Sequence, residues 1–324
     1  MMTNKKYAYN GELAKAIRQL NSGALVAIPT ETVYGLAANA YNDAAVQSIF
    51  RTKNRPNNNP LILHLKNADE ISSVAQNVPD LAWQLAHKFW PGPLTLILEK
   101  QSHISDFVSA GLPTIAVRVP NHKLTLKLLK KLDYPLVAPS ANRSNHISPT
   151  SPEHVRASLG VKSPFILDGG ACTEGLESTI IGFDGEDVVL YRHGALPIEQ
   201  IETFIGKPLI DKAQTKEQSI SPGTSKKHYS PNTAISICSL PKRDFEQHFT
   251  RVGYLVLNKT FDVEPPHMIY ELSPTGSLAE AAAKLYAALH ELDQMNLDLI
   301  VAQRFPDVGI GKAINDRLAR AAAV

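Results

Sequence analysis

Along the chain, apolar positions switch repeatedly between helical spacing and short continuous runs, the pattern of helices alternating with buried strands. Residues 12–20 have helical spacing, with Gly23 as the stop. Residues 24–28 follow as a short strand that runs into Pro29-Thr30-Glu31-Thr32-Val33-Tyr34-Gly35-Leu36. Asp43 is placed to cap a helix reaching Lys53, and residues 61–65 form an apolar strand interrupted by His64. Residues 80–89 read as an amphipathic helix that Trp90-Pro91-Gly92-Pro93 stops. Residues 94–98, 114–119, 136–138, 165–167 and 188–191 are strand-like. Between Lys207 and Pro231 the periodicity disappears and the chain turns polar. Beyond it, residues 234–238, 253–257 and 297–301 read as strands and residues 308–323 as a last helix. Ser277 and Glu280 have capping-box spacing ahead of a helix whose face carries Leu278, Ala282, Leu285, Leu289 and Leu292.

This alternation predicts an α/β protein in two units: residues 8–206, then a linker over 207–233, then residues 234–324. A chain of 324 residues is long enough for two cores. Its formal charge of +2 makes no demand for nucleic acid. Two cysteines exclude a disulfide scaffold and an all-cysteine zinc site. The first ten residues lack the apolar core of a secretory signal, and no apolar run is long enough to cross a bilayer. A cytoplasmic protein is the expectation.

Candidate chemistry gathers where strands end. Lys53 and Arg55 stand two positions apart, before Pro56, three asparagines and Pro60. On an extended or turning backbone both cations point the same way. A stiff loop bearing a point charge, a planar fork and amides suits a polyphosphate, and a solvated basic turn is the bland alternative. Arg118 lies in an otherwise apolar strand, where a charge needs a partner. A structural carboxylate and a ligand carboxylate both stay open as that partner. Residues 136–138 open into Pro139-Ser140-Ala141-Asn142, followed by Ser148. Glu177-Ser178-Thr179 precedes Ile180-Ile181, and residues 188–191 end in Arg192-His193-Gly194. Hydroxyls and cations at so many strand ends point to a single site. No Walker A loop, dinucleotide-binding glycine motif, zinc motif or nucleophile elbow occurs. The second unit shows no comparable cluster at its strand ends, so a structural or regulatory role is the default for it.

Taken in order, Pro29–Leu36, Lys53-x-Arg55, Trp90-Pro91-Gly92-Pro93, Ala116-Val117-Arg118-Val119-Pro120, Pro139-Ser140-Ala141-Asn142 and Glu177-Ser178-Thr179-Ile180 resemble the YrdC-like family. The linker motif Ser221-Pro222-Gly223…His228-Tyr229-x-Pro231 and the closing Gly309-Ile310-Gly311-x-Ala313-Ile314-Asn315-Asp316-Arg317 resemble its longer, two-domain form. Thr224 departs from the larger apolar residue many relatives carry. The resemblance implies a twisted open sheet flanked by helices, with a smaller Rossmann-like α/β unit behind it. It implies L-threonylcarbamoyladenylate synthase activity, a nucleotidyl transfer: L-threonine, bicarbonate and ATP give threonylcarbamoyl-AMP and pyrophosphate. The product would pass to the machinery that modifies adenosine beside the anticodon of tRNA to t6A.

The family's catalytic tetrad maps to Lys53, Arg55, Ser140 and Asn142. Its threonine pocket maps to Thr32, His64, Arg118, the Ala138 backbone and Ser178. Its ATP contacts map to Arg55, Asn59, Thr114, Ser140, Ser148, Arg192 and Tyr229. Magnesium accompanies the nucleotide, and direct tRNA binding is left open. The linker is expected to close over the nucleotide as a lid. An RNA-binding module using the same basic cavity is the competing reading. Carbamoyl transfer in hydrogenase maturation is disfavoured, because the extra modules of those proteins are missing.

Overall fold

The computed structural model describes residues 2–213, 228–239 and 244–323, with side chains described from residue 11 onward. Ten strands form one mixed sheet: β1 (Val26–Ile28), β2 (Gly35–Asn39), β3 (Ile62–His64), β4 (Leu94–Glu99), β5 (Thr114–Arg118), β6 (Leu136–Val137), β7 (Phe165–Ile166), β8 (Thr179–Asp184), β9 (Asp187–Arg192) and β10 (Ile210–Asp211). Their spatial order is β10-β9-β8-β4-β5-β3-β6-β2-β1-β7. A second sheet contains β11 (Ile235–Cys238), β12 (Val252–Val256), β13 (Met268–Glu271) and β14 (Leu299–Gln303) in the order β11-β14-β12-β13, all parallel. The expected α/β architecture, a large sheet flanked by helices and a smaller parallel-sheet unit, is the one found.

Helices Asp43–Lys53 and Asp80–Phe89 cover one side of the large sheet, burying Val46, Ile49 and Leu85 against Leu36, Leu63 and Leu96. Helix Met2–Asn21 and helix Lys123–Leu129 cover the β1–β2–β6 end through Ala16, Leu20, Leu124 and Leu128. The other face of β3, β4, β5 and β8 carries only a small cluster, Ile62, Ile97, Ala116 and Ile180. Register places Ile62 opposite Ala116 and His64 opposite Arg118. Alternation along β3 and β5 therefore brings Ile62, His64, Ala116 and Arg118 to this thinly covered face. The site forms there.

Several local expectations are revised. Asn42, not Asp43, caps the helix Asp43–Lys53, its side chain accepting from the Ala45 amide at 3.1 Å. Strand β2 is an element the apolar pattern did not mark, because Gly-Leu-Ala-Ala-Asn has weak strand propensity and is held by burial instead. The expected linker contributes an edge strand, β10, whose two residues are too few to show a period. Ser277 caps the helix Leu278–Leu292 through the Glu280 amide. The Glu280 carboxylate turns to Ser273 and Lys284 instead of completing the box. The linker stretch 221–227, with Thr224 in it, lies outside the described residues.

Candidate active site

Lys53 is the last residue of its helix, and Asn54 takes a left-handed φ of 52° that ends it. The two cations are therefore not side by side on an extended segment, as expected, because a helix end and a reversed turn separate them. Lys53, 1% exposed, donates to the carbonyls of Ser140 (2.5 Å) and Asn142 (2.6 Å). Burial, then the neighbouring Arg55, pushes its pKa well below the ordinary lysine value. Its ammonium braces the Ser140–Asn142 turn behind the cavity, and Asn142 braces the turn further by donating to the carbonyls of Arg143 and His146. Arg55 does line the cavity. The loop with Asn59 and Pro60 wraps it, the carbonyl of Pro60 accepting from Nη2 at 3.0 Å and that of Asn59 from Nε at 3.3 Å. Asn59 is thus a support for Arg55, with its own side-chain Oδ1 buried and unpartnered.

At the β3–β5 side, Arg118 is 3% exposed and engaged in three directions. Its Nε donates to the Gly92 carbonyl at 3.2 Å and its Nη1 to Thr32 Oγ1 at 3.0 Å, while Nη2 faces Glu31 Oε1 at 2.6 Å. The open question about its counter-charge has a structural answer: Glu31, from the loop after β1. His64 stands opposite it on β3, with Nδ1 3.2 Å from the Ile62 carbonyl. A carbonyl only accepts, so the proton belongs on Nδ1 and Nε2 is left as an acceptor. Burial, then Arg118, holds the His64 pKa down to about 3, so the ring is neutral. Ser178 exchanges a hydrogen bond of 2.7 Å with Thr95, and the Ala138 backbone lines the same wall.

On the remaining side, Arg192 donates twice to the Ser178 carbonyl, at 3.0 and 2.9 Å. Ser148 donates to Glu177 at 2.7 Å and so sits behind the cavity wall. His228 and Tyr229 line the same cavity as Arg55, Arg118, Ser140 and Ser178. Burial, only partly opposed by Glu177, lowers the His228 pKa to about 3. Tyr229 has φ 64°, a conformation a bulky residue keeps only where its surroundings impose it. Here it stacks on Tyr286 and lies over Arg317, both from the second unit.

The structure brings Thr32, Arg55, His64, Arg118, Ala138, Ser140, Ser178, Arg192 and Tyr229 to one cavity, and sets Lys53, Asn59, Asn142 and Ser148 behind it. Thr114 is not brought there. It starts β5, four residues before Arg118 on the same face and about 13 Å away by strand rise, beside a second cavity with Ile97, Gly182 and Tyr191. Among the described residues no group of three or more acidic, cysteine or histidine side chains is spaced to hold a metal.

A family model described as "Telomere recombination" (Sua5_yciO_yrdC) matches residues 18–194, and one described as "Threonylcarbamoyl-AMP synthase, C-terminal domain" matches residues 196–323. The chain belongs to the two-domain threonylcarbamoyl-AMP synthase family. Within that family, the Threonylcarbamoyl-AMP synthase of Bacillus subtilis is 39% identical, covering 99% of this chain and 96% of its own. The Schizosaccharomyces pombe protein of the same name is 34% identical, over 94% of this chain and 86% of its own. A crystal structure of Pyrococcus abyssi Sua5 complexed with L-threonine superposes with a TM-score of 0.88 at 36% identity, covering 96% of this chain and 94% of that one.

Sequence reasoning quoted Glu31, Glu177 and His228 within motifs without giving them a role. It missed Tyr286 and Arg317 as neighbours of the site altogether. Glu177 and His228 could have been found, since each adjoins a residue that was chosen. Arg317 could not, because Glu177 and His193, through which it reaches the site, lie more than a hundred positions away.

Proposed function

We propose that the chain is an L-threonylcarbamoyladenylate synthase, forming threonylcarbamoyl-AMP and pyrophosphate from L-threonine, bicarbonate and ATP for tRNA t6A modification in the cytoplasm. The observation that carries this reading is one buried cavity in which Arg118, Thr32, His64 and Ser178 face Arg55 and Arg192. The first group suits a small hydroxy amino acid. Arg118 takes the carboxylate with the two of its five N–H groups not already engaged by Gly92, Thr32 and Glu31. His64 Nε2 and the hydroxyls of Thr32 and Ser178 surround the amine and hydroxyl. A paired hydroxyl rejects valine strongly, whereas one missing methyl separates serine by only about 1–3 kcal/mol.

Threonine's amine and bicarbonate first give a carbamate, and a carbamate oxygen then attacks the α-phosphorus as pyrophosphate leaves. Little covalent assistance is required, because positioning and charge compensation dominate such transfers. Arg55 and Arg192 supply fixed positive charge, with Ser140 held toward them by the Lys53 brace. His228 and Tyr229, from the end of the linker, shield the carbamate from water. Thr114 lies on the same sheet face, within reach of an extended nucleotide. The described residues offer no carboxylate cage for a resident metal. Magnesium is therefore assigned to the nucleotide substrate, and no protein ligand is assigned to it.

Replacing Arg55 with alanine is expected to abolish threonine-dependent pyrophosphate release, read in a coupled phosphate assay. Release at the wild-type rate in that variant would remove the assignment.

A further inference from the structure

Arg317, in the helix Gly311–Ala321 of the second unit, is 1% exposed and bonded through all three guanidinium nitrogens. Nε meets Glu177 Oε2 at 2.8 Å, Nη2 donates to the His193 carbonyl at 2.9 Å, and Nη1 meets Asp316 at 2.5 Å. Its flat face lies 5.1 Å from the ring centre of Tyr229. Glu177 in turn accepts from Ser148 at 2.7 Å and from the hydroxyl of Tyr286 at 2.9 Å. Arg317 itself does not line the cavity assigned to threonine and ATP. Two of its contacts, Glu177 and Tyr229, do line it, and a third, His193, directly follows the lining residue Arg192.

We propose that Arg317 is a positioning residue of the active site, through which the second unit fixes the Glu177–Ser178 segment, the end of β9 and the ring of Tyr229. The inference rests on the synthase reading above and gives the second unit a part in it. Adhesion between the two units is the simpler alternative, but an ion pair is a poor choice for that purpose. Removing two charges from water costs about as much as their attraction returns, and well-packed apolar side chains hold such a junction as firmly. What the charged fork supplies is direction: one planar group sets a carboxylate, a carbonyl and an aromatic ring at fixed angles.

The groups facing Glu177 are Arg317, Arg192, Tyr286, Tyr229, His228 and the Ser148 hydroxyl. Burial alone drives the Glu177 carboxyl toward its neutral form, and Arg317 followed by Arg192 reverses this, to a pKa of about 2. Without Arg317 the carboxyl takes up a proton more readily and loses its hold on Ser148 and Tyr286.

The test compares full-length wild type, Arg317→Lys, Arg317→Met and Arg317→Met/Glu177→Gln in threonine-dependent pyrophosphate release from pH 6 to 9. Affinity for a fluorescent ATP analogue is measured separately. Arg317→Met is expected to raise the KM for threonine at least 10-fold and to add a limb in which kcat/KM climbs with pH. The double variant is expected to lack that limb, and Arg317→Lys to recover part of the KM. A role confined to adhesion lowers the melting temperature and the active fraction equally at every pH, with KM and profile unchanged, and that result overturns the proposal. Should Arg317→Met not fold, Tyr286→Phe takes its place, with about a 3-fold rise in KM expected and an unchanged KM overturning the proposal. If wild type releases no threonine-dependent pyrophosphate, the synthase reading fails. The role of Arg317 is then decided by the ATP analogue, bound at least 3-fold more weakly by the variant if Tyr229 depends on it and equally if not.

Discussion

Arg118 has its guanidinium oriented, before any ligand arrives, by the Gly92 carbonyl, the Thr32 hydroxyl and Glu31. Such a group loses little freedom when a carboxylate arrives, which is where a planar fork differs from an ammonium on a flexible stem. Arg118→Lys keeps the charge next to Glu31 and loses two of the three anchors along with one arm of the fork. A charge-assisted hydrogen bond is worth about 1.5–3 kcal/mol, and about 1.4 kcal/mol is tenfold in affinity. Threonine is therefore expected to bind about 10- to 100-fold more weakly to Arg118→Lys by calorimetry, with ATP affinity unchanged within about twofold. Threonine affinity within 3-fold of wild type would take Arg118 out of the amino-acid pocket. Sequence alone made Arg118 visible, since a lone cation in a buried strand must have a partner. It did not identify Glu31, because a turn glutamate among threonines carries no mark of the direction it faces. Lys53 was visible through its spacing from Arg55, but the helix end at Asn54 turned its ammonium under the Ser140–Asn142 turn.

Between residues and the whole lies the stitching of one loop to the next. Gly194, just past β9, packs so closely on the 177–179 segment that a Cβ there would lie 2.3 Å from Ser178 C and Thr179 N. The Ala195 amide also bonds the Glu177 carbonyl at 2.9 Å, so the two loops move as one body. Gly194→Ala is expected to cost about 1–3 kcal/mol of stability by overpacking. It should also cut kcat/KM for threonine at least tenfold, since Ser178 and the Arg192 it holds shift together. Gly11→Ala, in the helix Met2–Asn21 with open space at its Cβ, serves as control and is expected to stabilise by about 0.5–1 kcal/mol. Equal melting temperatures and equal kcat/KM for the two variants would show that the loops are not coupled. Elements with long apolar periods, such as the helices Asp80–Phe89 and Leu278–Leu292, were legible in the sequence because burial repeats there at a helical interval. Strands β2 and β10 were not, the first being made of small residues and the second only two residues long. Loop-to-loop contacts such as that at Gly194 are invisible to any periodicity.

For the molecule as a whole, the junction between the two units is built around histidines kept neutral. His228 packs there beside Tyr229, and its amide bonds the Arg320 carbonyl at 3.2 Å. His290 of the second unit stacks on His154 of the first at 3.9 Å between ring centres, with Nε2 3.2 Å from the Ser148 carbonyl. Burial, then His154, lowers the His290 pKa to about 4, and His64 and His228 lie at about 3. In each case the folded value is below the unfolded one, near 6.5. The unfolded chain therefore binds more protons between these limits, and the histidines' contribution to stability is complete above pH 6.5 and is lost as pH drops through it. At pH 5 the buried pair His64 and His228 alone costs about 2 kcal/mol each, from about 1.4 kcal/mol per pH unit. The Glu177 carboxylate adds a further loss only below about pH 4.5, as its depressed value requires. Calorimetric melting at pH 7.5, 6.5, 5.5 and 5.0 is expected to show its steepest decline beneath pH 6.5. Because two of the three rings lie at the junction, the second unit should lose its hold on the first before the large sheet melts, splitting the transition in two. Replacing His154 and His290 together with phenylalanine keeps the stack without the proton sites, so the decline should become shallower. A melting temperature constant from pH 7.5 to 5.0 would mean that the rings admit protons without cost, and that the junction does not depend on their neutrality.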